Sequence, residues 1–291
     1  IYGVAFSFTK DVKINLDSFR NLKELTIQLV QDTTYKTNKL LLVQLFTLEN
    51  LDVFACLCDN LIGVVRKCGT SSEAIKEIIN QIEKWKAMFD RKLSDGLTLF
   101  EQQGLYGELI YLQKLIDRNL FSKVESLKLW SGTDKSVRDF QGKEWAVEVK
   151  TISVNNSDQI TINGERQLDD TLLKMLFLYH LSVESSRSSG QTLNDIVEEL
   201  RKALMDDMVA LNLFNFKLME AGYFDNHRHL YSTRCYKIRK ENIYHVHDAF
   251  PRIKENELRN GVSNVTYSIN VSTCTEYLVN ENEHFNCIES L

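Results

Sequence analysis

The chain has 291 residues, 43% of them hydrophobic, with 35 Lys and Arg against 40 Asp and Glu for a formal net charge of −5. This apolar content suffices to bury a core and excludes a disordered chain, while one proline and 12 glycines exclude collagen-like and proline-rich classes. No apolar run approaches the ~18 residues of a membrane span, and the acidic balance provides no global basic field to attract nucleic acid.

The length suits one large domain or two modest ones. An opening at Ile1 rather than Met leads to the expectation that the native start lies upstream. Residues 2–8 and 40–46 read as strands, with 53–65 a further apolar stretch. Residues 71–91 read as an amphipathic helix, because Ile75, Ile78, Ile79, Ile82 and Trp85 recur at helical spacing. Ser94-Asp95-Gly96 marks a break. The expected organisation is an accessory α+β domain over 1–95 and a larger domain over 96–291.

Thr98-x-x-Glu101 has the form of a capping box opening a helix that runs to about Arg118. Its seam is Leu105, Leu109, Leu112 and Ile116. At ~100° per residue, Glu108 falls between Leu112 and Leu115, inside the apolar arc. A carboxylate aimed at the core side needs a partner or a metal. Residues 128–130, 136–140 and 144–153 read as three successive strands, the last two joined by Gln141-Gly142-Lys143 as a hairpin. Residues 159–163 read as a short strand and 172–179 as a central buried one. Residues 192–208 form an amphipathic helix, and a second helix ends near Gly222 in the manner of a C′ cap. Strand candidates at 229–239, 243–247 and 266–271 complete a β-rich end. The whole reads as α/β (α+β).

The six cysteines are Cys56, Cys58, Cys68, Cys235, Cys274 and Cys287, without zinc-ribbon spacing, and they read as buried free thiols of a reducing cytoplasm. His227-x-His229 and His245-x-His247 would each share a strand face, but no further ligand spacing completes a zinc set. The surrounding 217–259 carries more Lys and Arg than Asp and Glu, so a surface meeting DNA phosphates competes there with plain solvated β-structure. Walker A, Gly-x-Gly-x-x-Gly and Gly-x-Ser-x-Gly motifs are missing, which removes ATPase, dinucleotide and serine-hydrolase readings.

The chemistry concentrates in Arg138-Asp139-Phe140 and Glu148-Val149-Lys150. Alternation along a strand puts Ala146, Glu148 and Lys150 on one face, and Trp145, Val147 and Val149 on the other. Asp139, on the preceding strand, comes within reach by hairpin pairing. Paired carboxylates hold a divalent metal through oxygen, the metal activates water, and an ammonium orients hydroxide and offsets charge on phosphate. Glu108 would support a second metal or tether the lysine. Two other acid-x-Lys triplets, Asp11-Val12-Lys13 and Asp90-Arg91-Lys92, lack this setting. Gln159, just beyond the strand, is a candidate for positioning water or contacting DNA, with turn capping as its alternative.

Together, Glu108 on a helix, Asp139 and Glu148-Val149-Lys150 resemble the PD-(D/E)xK nuclease superfamily. More closely, Gly104-Leu105-Tyr106-Gly107-Glu108-Leu109, Arg138-Asp139-Phe140 and Ala146-Val147-Glu148-Val149-Lys150-Thr151 are similar to a bacterial family known as "PD-(D/E)xK motif protein". The similarity continues through Asp158-Gln159, Ala221-Gly222-Tyr223 and Phe250-Pro251-Arg252, spanning about 100 to 275. One departure is Arg138 where the motif's name places proline. The resemblance implies a restriction-endonuclease-like mixed sheet flanked by helices. It also implies a cytoplasmic metal-dependent DNA endonuclease of a restriction or phage-defence system, using Mg²⁺ with Mn²⁺ as substitute. Asp139, Glu148 and the Val149 carbonyl would be the metal ligands, Lys150 would orient water, and Glu108 would be an auxiliary acid. Helicase-like or ATPase proteins are the implied partners, and a homodimer would account for double-strand cutting. The alternative is a catalytically silent DNA- or protein-binding subunit on the same fold.

Overall fold

The computed structural model describes residues 2–12, 14–16, 19, 25–46, 51–92, 96–131, 137–156 and 158–291. The chain divides into two units, Ile1–Gly96 with Phe224–Asn226, and Leu97–Tyr223 with His227–Leu291. In the first, β1 (Tyr2–Thr9), β2 (Leu25–Gln31) and β3 (Asn38–Leu45) form an antiparallel sheet in the order β1-β3-β2. Alternate residues Leu41, Val43 and Leu45 of the central strand are buried, as a period of two requires. Two helices follow, α1 (Leu51–Val65) and α2 (Ser71–Lys92). The apolar stretch at 53–65 is thus helical; its buried Phe54, Leu57 and Leu61 recur at helical spacing. Residues 93–95 of the expected break, Lys13 of one acid-x-Lys triplet and the side chains of the other lie outside the described residues.

The second unit opens with α3 (Leu99–Asp117) and α4 (Lys123–Leu129). Thr98 caps α3 reciprocally with Glu101, as its sequence announces. The expected strand at 128–130 is overturned. Ser122 and Glu125 make a second capping box, which starts α4 and carries the chain helically to Leu129. Only Trp130 makes a β-bridge, to Phe140. Next come β4 (Phe140–Gln141), β5 (Trp145–Ser153), β6 (Gln159–Asn163), β7 (Met175–Ser186) and β8 (Gln191–Thr192). Residues 132–136, including the expected start of a strand at 136, are outside the described set. The helices α5 (Leu193–Leu204), α6 (Met208–Glu220) and α7 (Arg228–Tyr231) lead to β9 (Cys235–His245), β10 (Thr266–Asn270), β11 (Leu278–Val279) and α8 (Glu281–Glu289). Gly222 closes α6 at φ 86°, the left-handed conformation of a C′ glycine.

The main sheet runs β11-β9-β7-β5-β4, with β8 also on β9. It is mixed: β5 and β7 are parallel and the remaining pairs antiparallel. Its two faces carry separate cores. On one, Trp145, Val147, Val149, Phe177, Tyr179 and Leu181 pack with residues of α3, α5 and α6. On the other, Ala146, Leu176 and Leu178 pack with Ile160, Ile162 and Ile269, which belong to the two-stranded sheet β6–β10.

Three expectations shift. The buried strand starts three residues later than expected, at Met175, leaving Leu172 92% exposed, and continues through His180 and Ser182 to Ser186. The strand at 229–239 begins instead with the short helix α7, so His227-x-His229 shares no strand face. The strand candidates at 229–239 and 243–247 fuse into β9 from Cys235, because pairing with β7 holds the polar Arg239–Asn242 stretch extended. Of the six cysteines only Cys274 is buried; all six are free.

The contact that fixes the site is between α3 and β5. A Cβ placed on Gly107 would stand 1.7 Å from Thr151 Oγ1 and 3.0 Å from its Cβ, so only glycine allows this approach. Gly107→Ala is therefore expected to destabilise the protein by about 1–3 kcal/mol through overpacking, read as a lowered denaturation midpoint with unchanged slope.

Candidate active site

Four side chains that the sequence singled out come together at one edge of the main sheet. Glu108 follows Gly107 on α3, whose packing on β5 is reinforced by Gln103 Nε2 donating to the Thr151 carbonyl at 2.8 Å. Phe140 pairs with Val147, which puts Asp139 opposite Glu148 just beyond the end of β4. Asp139 Oδ2 accepts the Val149 N–H at 2.7 Å, a bond that β4 is too short to make. Glu148 is 1% exposed, and Lys150 Nζ lies 2.7 Å from its Oε1. Glu148 Oε2 is shielded from solvent and has no hydrogen-bond partner.

Three carboxylates share this small volume, and each is pushed toward its protonated form. Burial, then the charge of Asp139, holds Glu108 well above the usual carboxylate range, with the Trp130 N–H opposing. Burial raises Asp139 against the stabilising Val149 N–H and Lys150. Glu148 is pushed up to about 8 by burial and by Asp139, with Lys150 and Arg138 pulling the other way. Carboxylates in mutual repulsion, with one oxygen unpaired, form a donor set that a cation relieves. Among the described residues, no three His, Cys, Asp or Glu side chains form a group that could by themselves hold a metal ion. A metal here would take two side-chain carboxylates and complete its shell with backbone, water and substrate oxygens, the habit of Mg²⁺.

Sequence reasoning missed three supporting residues. Trp130, fully buried, donates its indole N–H to Glu108 Oε2 at 2.8 Å, and the adjacent Ser131 N–H binds the Asp139 carbonyl at 2.8 Å. One segment thereby orients two of the carboxylate-bearing residues. Lys217, buried on α6, donates to the Trp130 carbonyl. Gln167 Oε1 accepts from Lys150 Nζ at 3.1 Å and from the Asn163 N–H at 2.9 Å. Arg138 secures the same loop through the Gln167 and Asp169 carbonyls. Gln159, by contrast, is exposed at the start of β6, opposite Asn270. The capping box at Ser122 signals where α4 starts, but Trp130 carried no local signal for its place at the site. Gln167 carried no local signal.

Outside this cluster, the His245 and His247 rings lie tilted against each other with centroids 4.5 Å apart, and His247 Nδ1 meets Asp248 at 2.9 Å. No helix among the described residues is long and apolar enough to cross a membrane.

No curated protein and no solved structure is significantly similar to the chain. A family described as "Putative PD-(D/E)XK family member (DUF4420)" matches residues 4–272. The match takes in the first unit as well as the second, a longer stretch than the motifs by themselves mark out. Proteins of the PD-(D/E)XK superfamily are generally nucleases and typically use divalent metals. Covering nearly the whole sequence, and agreeing with a mixed, helix-flanked sheet of restriction-endonuclease-like kind, the match establishes that the chain belongs to this family.

Proposed function

We propose that the protein is a Mg²⁺-dependent DNA endonuclease, with Mn²⁺ as an effective substitute. The observation that carries this reading is the convergence of Glu108, Asp139 and Glu148 around Lys150, with one Glu148 oxygen buried and unpaired. Asp139 and Glu148 would hold the metal. A strand residue's N–H and C=O face the same edge, so the Val149 carbonyl, on the same side as its N–H bound to Asp139, would be available as a third ligand. The bound cation supplies a water of lowered pKa and Lewis-acid polarisation of the scissile phosphate.

The chain's own residues do the rest. Lys150, held between Glu148 and Gln167, orients the attacking water and offsets charge developing on phosphate. Asp139, fixed by the Val149 N–H, keeps the edge of β5 from pairing with a longer strand. Glu108, oriented by Trp130, is the auxiliary acid. A restriction or phage-defence role in the cytoplasm, with ATPase-type partners and a dimer for double-strand cutting, completes the proposal. The family membership and the free thiols support this setting. The catalytically silent binding subunit is favoured by one observation, the Lys150–Glu148 ion pair at 2.7 Å, which engages both residues with each other.

A plasmid-nicking time course with Mg²⁺ or Mn²⁺ separates the two readings. Metal-dependent cutting is expected; a folded wild type that binds duplex without cutting it supports the silent subunit. Gln167→Leu removes the second acceptor of Lys150 together with the acceptor of the Asn163 N–H, leaving Glu148 and the metal-binding carboxylates unchanged. It is expected to lower kcat ~10–100-fold with little change in KM, the usual effect of losing an outer support of an active group.

A further inference from the structure

An arginine is a permanent cation with five N–H donors, so burying one demands partners for them. Arg252 lies between β9 and β10, where the buried ring of Phe250 packs against Tyr277 with centroids 5.1 Å apart and anchors the turn. Its side chain is only 2% exposed. Nη2 donates to Asp170 Oδ2 at 2.7 Å, but Asp170 is shared, since Lys254 Nζ takes Oδ1 at 2.7 Å. Arg252 Nε and Nη1 are shielded from solvent and have no hydrogen-bond partner.

A second buried donor stands beside them. The Tyr267 hydroxyl, close to the Ile253 amide, is shielded and makes no well-formed hydrogen bond. Tyr267 pairs with Ile162 across β6–β10 and packs against the core face that holds Ala146, two residues before Glu148 on the same strand face, and the charges of Arg252 and Glu148 both reach it. Glu148 Oε2 is itself an unpaired, buried acceptor. The Arg252 and Tyr267 donors and the Glu148 acceptor are thus all left open, and they have not paired with each other. A cation at the carboxylates with a phosphate oxyanion at the donors would satisfy both. We infer that Arg252 and Tyr267 form a phosphate-binding subsite beside Glu148, taking a phosphate of the nucleic-acid strand. The identity of the strand rests on the nuclease reading, whereas the affinity for phosphate does not.

The probe is inorganic phosphate, titrated into the full chain with Mg²⁺ present and followed by calorimetry and thermal shift. Arg252→Lys keeps one cation for Asp170 but loses the Nε and Nη1 donors, and it is expected to weaken phosphate binding at least ~10-fold. Tyr267→Phe is expected to weaken it about 3-fold, in line with the worth of charged and neutral hydrogen bonds. Wild-type phosphate affinity in both folded variants, or no phosphate binding by wild type, overturns the subsite. Should Arg252→Lys lose its native circular dichroism, Tyr267→Phe decides alone. The two readings fail separately. Phosphate binding lost with Arg252→Lys in a protein that cuts nothing keeps the subsite and ends the nuclease reading. DNA cutting by Arg252→Lys with unchanged KM keeps the nuclease and ends the subsite.

Discussion

Glu148→Gln is expected to abolish metal-dependent cleavage while making the metal-free protein more stable. Lewis-acid stabilisation of several kcal/mol is at stake, and ~4 kcal/mol corresponds to about 10³-fold in rate, so the loss should be at least of that order. The gain in stability follows from the raised pKa. With its folded-state value near 8 against an ordinary 4.5, Glu148 holds a proton that the unfolded chain has already released. Stability should therefore fall as pH rises from about 4.5 to 8 and level off above that window. Glutamine keeps the shape and removes the buried charge, which flattens that slope. A divalent cation competes with the same proton, so its affinity should rise by up to about tenfold per pH unit between pH 6 and 8. Thermal unfolding with and without Mn²⁺ at pH 6, 7 and 8 tests all of this. A metal-induced shift that survives in Glu148→Gln would show that Glu148 is not a metal ligand.

Lys150→Met is the second large effect, with a different signature. Losing the ammonium should cost ~10²–10³-fold in cleavage through the water it orients and the phosphate charge it offsets. Metal binding should persist, because both carboxylates remain. Stability moves opposite to the Glu148 variant. Below about pH 8 the buried Glu148 carries a proton and little is lost; above it Glu148 Oε1 must ionise without its partner at 2.7 Å, and breaking a buried pair from one side costs about 3–5 kcal/mol, less here because Lys150 keeps some solvent contact. Above pH 8, metal-free Lys150→Met should thus melt below wild type, and Mn²⁺ should recover more of that loss than it adds to wild type. If Lys150→Met cuts at the wild-type rate, Lys150 serves only to neutralise Glu148.

These opposite signs arise because the site's electrostatics are unfavourable when metal-free. Glu108, Asp139 and Glu148 all have raised pKa values, with burial the leading cause in each. Among the described residues, Lys150 is the cation at contact distance with Glu148, and Arg138 acts from further off. Supporting elements hold this arrangement: the Gly107 approach to Thr151, the Trp130 indole on Glu108 and the Gln167 amide on Lys150. Each works through a short-range contact, so conservative variants of each should alter activity without moving the fold.

What the sequence by itself determined is what depends on local periodicity and local chemistry. The α3 capping box, the Glu108 position in an apolar arc, the Gln141-Gly142-Lys143 hairpin and the shared face of Glu148 and Lys150 are consequences of 3.6- and two-residue repeats and of caps within four residues. Those residues by themselves give an α/β (α+β) chain, and the restriction-endonuclease-like class came from the family resemblance they carry. The tertiary structure decided whatever depends on pairing between distant segments. β7 carries polar His180 and Ser182 through its buried centre because strands on both sides extend it. β9 spans Arg239–Asn242 for the same reason, although its local sequence reads as an interruption. Lys150 meets Gln167, seventeen residues away, and Trp130 meets Glu108 across 22, through contacts no local pattern encodes. Glu148 is pushed up to about 8 only because folding removes it from water and sets Asp139 beside it, and burial of that kind exists only once the chain has closed around the site.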